Sequence, residues 1–441
     1  MKRTFAVSLV LMLVLTMVPV VTSAQTISYW SGIQVQNQSD QEATIVITFY
    51  QQNGDVEAEF TDVTIPANDS ITYGTLDTLV SDGFTGSAVI SSDQPVVAIV
   101  NTMGNGLDYG ASSASFSEGA AEVRLPLLMK GNYGYSTWYN VQNVSDSEDA
   151  VVSVTYSNGS TEADVTIAPG AAHTYDQAGL PDGFVGSATV TSTGGEIVAT
   201  VVEVGPTTLF AYNGFVGGAT NPSMPLVQQN NWGYVTGIQI MNVGTVSTTV
   251  TVDYTAGAEG TDTTETKDID PGSSATFDMA VGGVPYLDGT LFVGSAAVSA
   301  NTASQDLVVV VNQLNSGANK GAAYGGFDVG NATDTVSLPL IMDRNYNYFT
   351  GFSIVNAGSA ATSVTFECTG TDGATYAAGL GTINLPVGGA TAQVQLDLVA
   401  DGYVGSCTAT AASGGQILGI VNELNSTASG DAFLVYEGFN N

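Results

Sequence analysis

The residues that could support nucleophilic or metal chemistry are few in this chain. The sequence has one histidine, His173, and two cysteines, Cys368 and Cys407. A single histidine cannot build a histidine-based zinc site, and no motif supplies the partners that serine–histidine catalysis requires. No glycine-rich phosphate loop leads into a helix. We therefore expect no enzymatic activity, no catalytic residue and no cofactor.

The two cysteines form the clearest chemical pair. Cys407 stands where three similar segments carry alanine, and Cys368 ends the alternating, strand-like run 363–367. In an exported chain this pattern predicts one disulfide between them. Two buried free thiols are the alternative, because a sequence does not give the separation of the Cα atoms.

Three pairs of aromatic residues could bind a ligand. Each pair follows a segment of the Leu-Pro-Leu type, and the pairs are Tyr133 and Tyr135, Trp232 and Tyr234, and Tyr346 and Tyr348. Such rings can stack on sugars. The alternative is that they pack into joints between domains, and we favour it because the pairs recur with those joints.

Carboxylates offer a third kind of chemistry, the binding of calcium. Asp146, Glu148 and Asp149, or Asp268 and Asp270, could supply oxygen ligands. They match no complete calcium-loop signature and do not recur between similar segments. We predict no metal site, and calcium remains an alternative without a motif.

The chain consists of four copies of one unit. The segment Gly183-Phe184-Val185-Gly186-Ser187-Ala188 recurs in similar form, and its second glycine stands at positions 86, 186, 294 and 405. Units of this length can each bury a core, unlike solenoid repeats of about 20–50 residues. We assign repeat 1 to residues 25–117, repeat 2 to 118–217, repeat 3 to 218–329 and repeat 4 to 330–441.

Each repeat has the pattern of a β-sandwich. Polar and apolar residues alternate, Val, Thr and Tyr are frequent, and turn signals recur about every 8–12 residues. In repeat 2 we predict eight strands, near residues 124–129, 136–143, 150–156, 162–167, 171–175, 184–192, 196–204 and 208–214. This number in roughly 100 residues suits an immunoglobulin-like sandwich. The predicted fold is all-β, with four tandem Ig-like antiparallel β-sandwich domains.

A strand that ends in asparagine, followed by a polar turn and a Val/Thr strand, recurs in every repeat. Residues 237–244 (GIQIMNVG) and 352–358 (FSIVNAG) are two copies. This pattern resembles the tandem Ig-like repeats of bacterial surface and secreted proteins. The resemblance implies a sandwich that serves as a stalk, adhesin, envelope layer or enzyme appendage, and it brings no active site with it.

Several recurrent residues have predicted structural roles. The strand-ending asparagines are expected to bond nearby backbone groups, and they are Asn37, Asn143, Asn242 and Asn356. The second glycine of the recurring segment is expected to mark a bulge or a close backbone approach. Asp-Gly pairs at 82–83, 182–183, 288–289 and 401–402 are expected to form tight turns. In a later strand, Asn101, Asn312 and Asn422 are also read as structural, because repeat 2 carries Val202 there.

Residues 1–24 have the features of a secretory signal peptide. Lys2 and Arg3 precede an apolar run, and small residues before Gln25 predict cleavage there, with a retained anchor as the alternative. No later stretch approaches the ~18 apolar residues that span a bilayer. The net charge of −34 disfavours nucleic acid and anionic membranes as partners. The predicted location is secreted, at the extracellular cell surface.

Segments of the Leu-Pro-Leu type near residues 126, 225 and 339 stand at the joints that lead into repeats 2, 3 and 4, and repeat 1 begins without one. Either repeat 1 lacks a first strand or repeat 4 lacks a last one, and an unpaired edge could then accept a strand from another copy. The alternative is that residues 25–30 take the place of the missing strand, or that a terminal domain tolerates a smaller sheet. The linkers lack long Ser/Gly runs, which predicts a semi-rigid string. We expect a non-enzymatic structural protein, such as a stalk, envelope-layer or filament subunit. The alternative is an adhesin or carbohydrate-binding array, and the expected partners are further copies of itself or surface glycans.

Overall fold

The computed structural model describes residues 27–67, 69–74, 76, 79–106, 108–278, 291–370, 375–377, 381–394 and 401–440. The predicted signal peptide and the Asp288-Gly289 turn lie outside these ranges. The described residues form an all-β structure of eight antiparallel sheets, with one short 3-10 helix at Val329–Asn331. Within the described ranges, no helix is long and apolar enough to cross a membrane.

The repeats share a common order of strands, with one strand fewer at the start of repeat 1 and additional short strands in repeat 4. Repeat 1 contains β1 (Tyr29–Asn37), β2 (Ala43–Gln51), β3 (Val56–Ile65), β4 (Ser70–Tyr73), β5 (Gly86–Ser92), β6 (Val96–Gly104) and β7 (Tyr109–Ala114). Repeat 2 contains β8 (Glu122–Lys130), β9 (Ser136–Asn143), β10 (Ala150–Tyr156), β11 (Val165–Ile167), β12 (Ala172–Tyr175), β13 (Phe184–Gly194), β14 (Ile197–Val204) and β15 (Leu209–Asn213). All eight strands predicted for repeat 2 are therefore confirmed.

Repeats 3 and 4 continue this order. Repeat 3 contains β16 (Ser223–Gln229), β17 (Val235–Asn242), β18 (Thr248–Glu259), β19 (Thr263–Ile269), β20 (Ser274–Asp278), β21 (Phe292–Ala300), β22 (Leu307–Asn315) and β23 (Lys320–Gly325). Repeat 4 contains β24 (Thr335–Asp343), β25 (Phe349–Asn356), β26 (Thr362–Gly370), β27 (Thr375–Ala377), β28 (Ile383–Leu385), β29 (Ala390–Val394), β30 (Tyr403–Ala411), β31 (Ile417–Leu424), β32 (Phe433–Glu437) and β33 (Phe439–Asn440).

Two sheets face each other in each repeat, and repeat 2 shows the arrangement most simply. One sheet has the order β11-β10-β13-β8 and the other β12-β9-β14-β15. Their inward side chains, such as Val152, Val190 and Tyr139, share one buried core. The order differs from that of the Ig fold, in which the first two strands are neighbours in one sheet. Here β8 and β9 lie in opposite sheets.

The Leu-Pro-Leu segments form the first strands of their own repeats. In repeats 2, 3 and 4, the strands β8, β16 and β24 pair with the strands of the recurring segment, β13, β21 and β30. Repeat 1 has no such strand among its described residues, and its sheet β3-β2-β5 ends at β5. Of the two alternatives left open by the sequence, the described residues support the first, because those of repeat 1 include no first strand.

The recurrent polar and glycine residues have the structural roles predicted for them. Each strand-ending asparagine is fully buried and donates through Nδ2 to two or three backbone carbonyls, as Asn242 does to Val246 at 2.9 Å and Ile269 at 3.0 Å. A Cβ on Gly86, Gly294 or Gly405 would overlap a carbonyl oxygen of the neighbouring strand, so no other residue fits there. In the turns before β5, β13 and β30, the glycines at 83, 183 and 402 have positive φ.

The four repeats do not form the string that the linkers predicted. Four equivalent strands near the ends of the repeats contact one another in sequence: β7 contacts β15, β15 contacts β23, β23 contacts β32, and β32 contacts β7. Of these strands, β15, β23 and β32 are largely buried on both faces, in contrast to an edge strand of an isolated sandwich. Burial of their second apolar face is the physical reason for closure into a ring.

Serines of the recurring segment strengthen the joints of this ring. The Oγ of Ser87 donates to the carbonyl of Gly170 at 2.5 Å, and that of Ser187 donates to the carbonyl of Gly272 at 2.8 Å. Ser295 makes the same bond to Gly388. The equivalent Ser406 of repeat 4 is exposed. The joint between repeats 4 and 1 is therefore built differently from the other three.

Cys368 and Cys407 form a disulfide across β26 and β30, with their Cα atoms 4.0 Å apart. Repeats 1, 2 and 3 place an aromatic residue opposite the alanine at this cross-strand position, for example Tyr156 opposite Ala188. The disulfide thus replaces an aromatic contact inside one core.

Candidate binding cleft between the first and fourth repeats

Asp431 joins all four repeats at the centre of the ring. It lies just before β32, and its carboxylate accepts bonds from the backbone N–H groups of Leu209 in repeat 2 and Gly321 in repeat 3, both at 2.8 Å. Its own N–H donates to the carbonyl of Asp108 in repeat 1 at 2.8 Å. The side chain is fully buried, and burial raises the pKa of Asp431 to about 8 despite these donors.

A second set of polar residues forms hydrogen bonds across the joints between repeats, on the strands next to those that surround Asp431. In repeats 2, 3 and 4, Glu203, Gln313 and Glu423 occupy equivalent positions on β14, β22 and β31. Asn312 donates to Glu203 at 2.7 Å across the joint between repeats 2 and 3. Gln313 and Asn422 donate to each other at 2.9 and 3.0 Å across the joint between repeats 3 and 4. These bonds explain two asparagines of the late strand, Asn312 and Asn422, as structural residues.

The equivalent pair at the joint between repeats 4 and 1 is open. Glu423 and Asn101 both line a cavity of about 320 Å³. Asn101 accepts instead from Ser112 within repeat 1, at 2.7 Å. Among the described residues, no hydrogen bond or ion pair reaches the Glu423 carboxylate. Burial raises the pKa of Glu423 to about 7, so that its charge changes near neutral pH.

Aromatic rings and amides make up much of the remaining wall. Trp30, Tyr73, Tyr346 and Tyr348 line the cavity together with the amide of Gln34. Trp30 is held by a bond from its Nε1 to the carbonyl of Gly106 at 2.7 Å. The cleft therefore combines flat apolar faces, hydrogen-bonding amides and one carboxyl group.

The predicted aromatic pairs divide into an exposed and a packed member. Each pair lies on the hairpin that joins the first two strands of its repeat. Tyr133, Trp232 and Tyr346 have positive φ and are 79%, 91% and 87% exposed. The second members pack inward: Tyr135 lies against Phe210, and Tyr234 lies against Phe433 of repeat 4, with ring centroids 5.2 Å apart. Tyr348 faces the cleft, so the third pair is the one associated with a cavity.

The carboxylates considered for calcium lie elsewhere. The described residues contain no group of three or more His, Cys, Asp or Glu side chains that could hold a metal ion. Asp268 and Asp270 accept bonds from the hydroxyls of Thr249 and Ser247, respectively. His173 lies on β12, where its ring meets Tyr175 edge to face.

Sequence reasoning missed Glu203, Glu423 and Asp431. For the two glutamates a signal was present, because each follows a near-continuous apolar run that reads as a central strand. A carboxylate at the end of such a strand indicates a polar contact there. Asp431 gave no signal, since it stands in a polar loop of ordinary composition.

No protein-family model and no curated protein matches this chain.

Proposed function

We propose that the chain is an exported, non-enzymatic surface protein that binds a neutral glycan in the cleft between repeats 1 and 4. The observation that carries this proposal is the open pair of Glu423 and Asn101. Their equivalents at two other joints are bonded to each other, whereas these two side chains turn toward a cavity walled by aromatic rings.

A sugar suits the chemistry of this cleft. Its hydroxyl groups both donate and accept, which matches a carboxylate beside the amides of Asn101 and Gln34. Its apolar face can pack on Trp30, Tyr73 or Tyr346. The volume lies at the lower end of the range for small-molecule sites, about 300–1,000 Å³. The net charge of −34 favours a neutral glycan over an acidic one.

Binding is favoured over hydrolysis by the number of carboxyl groups. Glycosidases use two, about 5–10 Å apart, on opposite sides of the bond that is cleaved. Glu423 is the one carboxyl group among the described residues that line the cleft. It can orient a hydroxyl group but has no partner there for acid and base catalysis.

The location and the scaffold complete the proposal. The N-terminal sequence supports export, and each repeat has the size and two-sheet packing of an Ig-like sandwich, with a strand order of its own. An extended stalk is not proposed, because the contact between β32 and β7 closes the repeats into a ring. A compact ring instead holds a cleft between its first and last repeats.

The test is a titration of the exported chain with neutral oligosaccharides of glucose, galactose, mannose and N-acetylglucosamine, followed by calorimetry. We expect saturable binding that Glu423→Gln and Asn101→Ala each weaken about tenfold, because each removes a polar contact to the ligand. Trp232→Ala is the control, since this exposed ring lies on repeat 3, away from the cleft. The proposal is wrong if no oligosaccharide binds, or if the control loses binding and the cleft variants retain it.

A further inference from the structure

The outer edge of β5 in repeat 1 is a position for a further strand, and no described residue of repeat 1 occupies it. In repeats 2 to 4 the strand of the recurring segment is paired on both sides, with the first strand of the repeat on its outer side. In repeat 1 the equivalent strand β5 pairs with β2, and the sheet ends there. Its outer backbone groups therefore pair with no strand among the described residues.

The core beneath this edge is less covered than in the other repeats. Ala188 and Val190 of β13 are 0% exposed, and Ala296 and Val298 of β21 are 2% and 1% exposed. The equivalent Ala88 and Ile90 of β5 are both half-buried, as is Phe84 just before the strand. The missing cover is the one that Leu125 and Leu128 of β8 supply in repeat 2, where both are fully buried.

The edge also lacks the usual protection against pairing. Residues 86–92 read GSAVISS, with no charged residue and no proline. Charged side chains, proline and bulges are the common means of blocking an exposed edge. Repeat 2 contacts this strand through a 3.4 Å bond from Gln142 Nε2 to the carbonyl of Ala88 and through the bond from Ser87 to Gly170, but it adds no strand to the edge.

Repeat 1 differs at the residue that fixes this strand elsewhere. The hydroxyl of Tyr212 donates to the carbonyl of Leu127 at 2.6 Å and accepts from its N–H at 3.2 Å. Tyr436 holds Leu340 in the same way. The register of β6 and β7 places Ser113 at the equivalent position in repeat 1. A strand paired with β5 would therefore lack the two hydrogen bonds of the tyrosine hydroxyl, and it would dissociate and rebind readily.

We propose that the free edge of β5 accepts an extended apolar segment of another polypeptide, with the Leu-Pro-Leu pattern of β8, β16 and β24. The segment would pair antiparallel to β5, bury alternate apolar side chains over Ala88 and Ile90, and displace the long bond from Gln142. A segment of positive net charge, such as β8 with its Arg124 and Lys130, also complements the acidic chain.

The probe is a fluorescent peptide with the sequence of residues 122–130, added to the exported chain and followed by anisotropy. We expect saturable one-to-one binding and a higher midpoint of thermal unfolding. A peptide with Leu125→Asp and Leu128→Asp should not bind, because it would bury two charges. Ile90→Lys should weaken binding about tenfold or more for the same reason. Val151→Lys is the control, since Val151 is exposed on a strand that is already paired on both sides.

A second variant keeps the test decisive if Ile90→Lys unfolds repeat 1. Residues 122–134 placed directly ahead of Tyr29 supply the missing strand within the chain. This graft should raise the thermal midpoint and abolish peptide binding. A graft that does neither overturns the proposal. Two further results also overturn it. In the first, light scattering shows a dimer that Ile90→Lys dissociates, which assigns the edge to a second copy. In the second, the mass of the exported chain retains residues before Gln25 and the chain binds no peptide.

Discussion

At the scale of single residues, one strand-ending asparagine in each of the four repeats fixes the turn that follows its strand. Asn242 donates to two carbonyls, and its Oδ1 accepts from the N–H of Gly244 at 2.9 Å. The amide thus bonds both a carbonyl and an N–H group of the turn after β17, and it also bonds the carbonyl at the end of β19. Only a side chain with both donor and acceptor atoms can do this, which explains why the residue recurs as Asn in every repeat.

This geometry predicts the effect of two substitutions at Asn242. Asn242→Ala should lower the free energy of unfolding by about 2–4 kcal/mol, because it leaves buried backbone groups without partners. Asn242→Asp should also destabilise at pH 7, since a carboxylate cannot donate to the carbonyls of Val246 and Ile269. Urea unfolding measures both, with the exposed Asn221→Ala as control. An Asp variant as stable as the original chain would show that shape, not donation, matters there.

At the scale of strands, the disulfide of repeat 4 takes the place of the cross-strand pair of an aromatic residue and an alanine that the other repeats have. Cys368 and Cys407 are opposite each other, as Tyr254 and Ala296 are in repeat 3. The bond closes a loop of about 40 residues, which corresponds to about 4 kcal/mol of stabilisation through the unfolded state. A reductant should therefore lower the stability of the chain by an amount of this order.

The neighbouring repeats provide a matched variant for this prediction. Cys368→Tyr with Cys407→Ala copies the pair of repeats 2 and 3, and it should recover part of the lost stability and become insensitive to reductant. Urea unfolding with and without reductant measures both effects. Equal stability of the original chain in the two conditions would contradict a stabilising role for the bond.

Strands could be predicted from the sequence far better than the contacts between repeats. The eight strands of repeat 2 follow from alternation and turn residues, which are local signals. The ring depends on the outer faces of β15, β23 and β32. The sequence pattern of an apolar strand is the same whether its side chains face a core or a neighbouring repeat. The cleft depends on a bond that is made at two joints and absent at another, and this difference is not visible in Asn101 and Glu423 themselves.

At the scale of the whole molecule, buried carboxyl groups at the joints make stability depend on pH. Burial raises the pKa of Glu203 and of Asp431 to about 8, and that of Glu423 to about 7. In the unfolded chain these groups titrate near pH 4. Between these values the folded state binds more protons than the unfolded state, so the free energy of unfolding must fall as pH rises from about 5 to about 8.

Glu203 allows this prediction to be tested with one atom changed. Among the described residues, its buried Oε1 has no hydrogen-bond partner, and neither has the Oδ1 of Asn312 that it faces across the joint. Glu203→Gln can form the reciprocal amide pair that Gln313 and Asn422 form at the next joint, and a protonated Glu203 can do the same. The variant should therefore be more stable than the original chain at pH 8 and nearly equal to it at pH 5.

Urea unfolding between pH 5 and pH 8.5 measures this difference. Lower pH also relieves repulsion in a chain of net charge −34, so the control must remove one charge elsewhere. Glu196→Gln does so at an exposed position of the same repeat, and it should shift stability little at either pH. If the two variants behave alike, general repulsion and not the buried joint governs the pH dependence. If only Glu203→Gln flattens the profile, protonation at the joints is what holds the ring closed more tightly in acid.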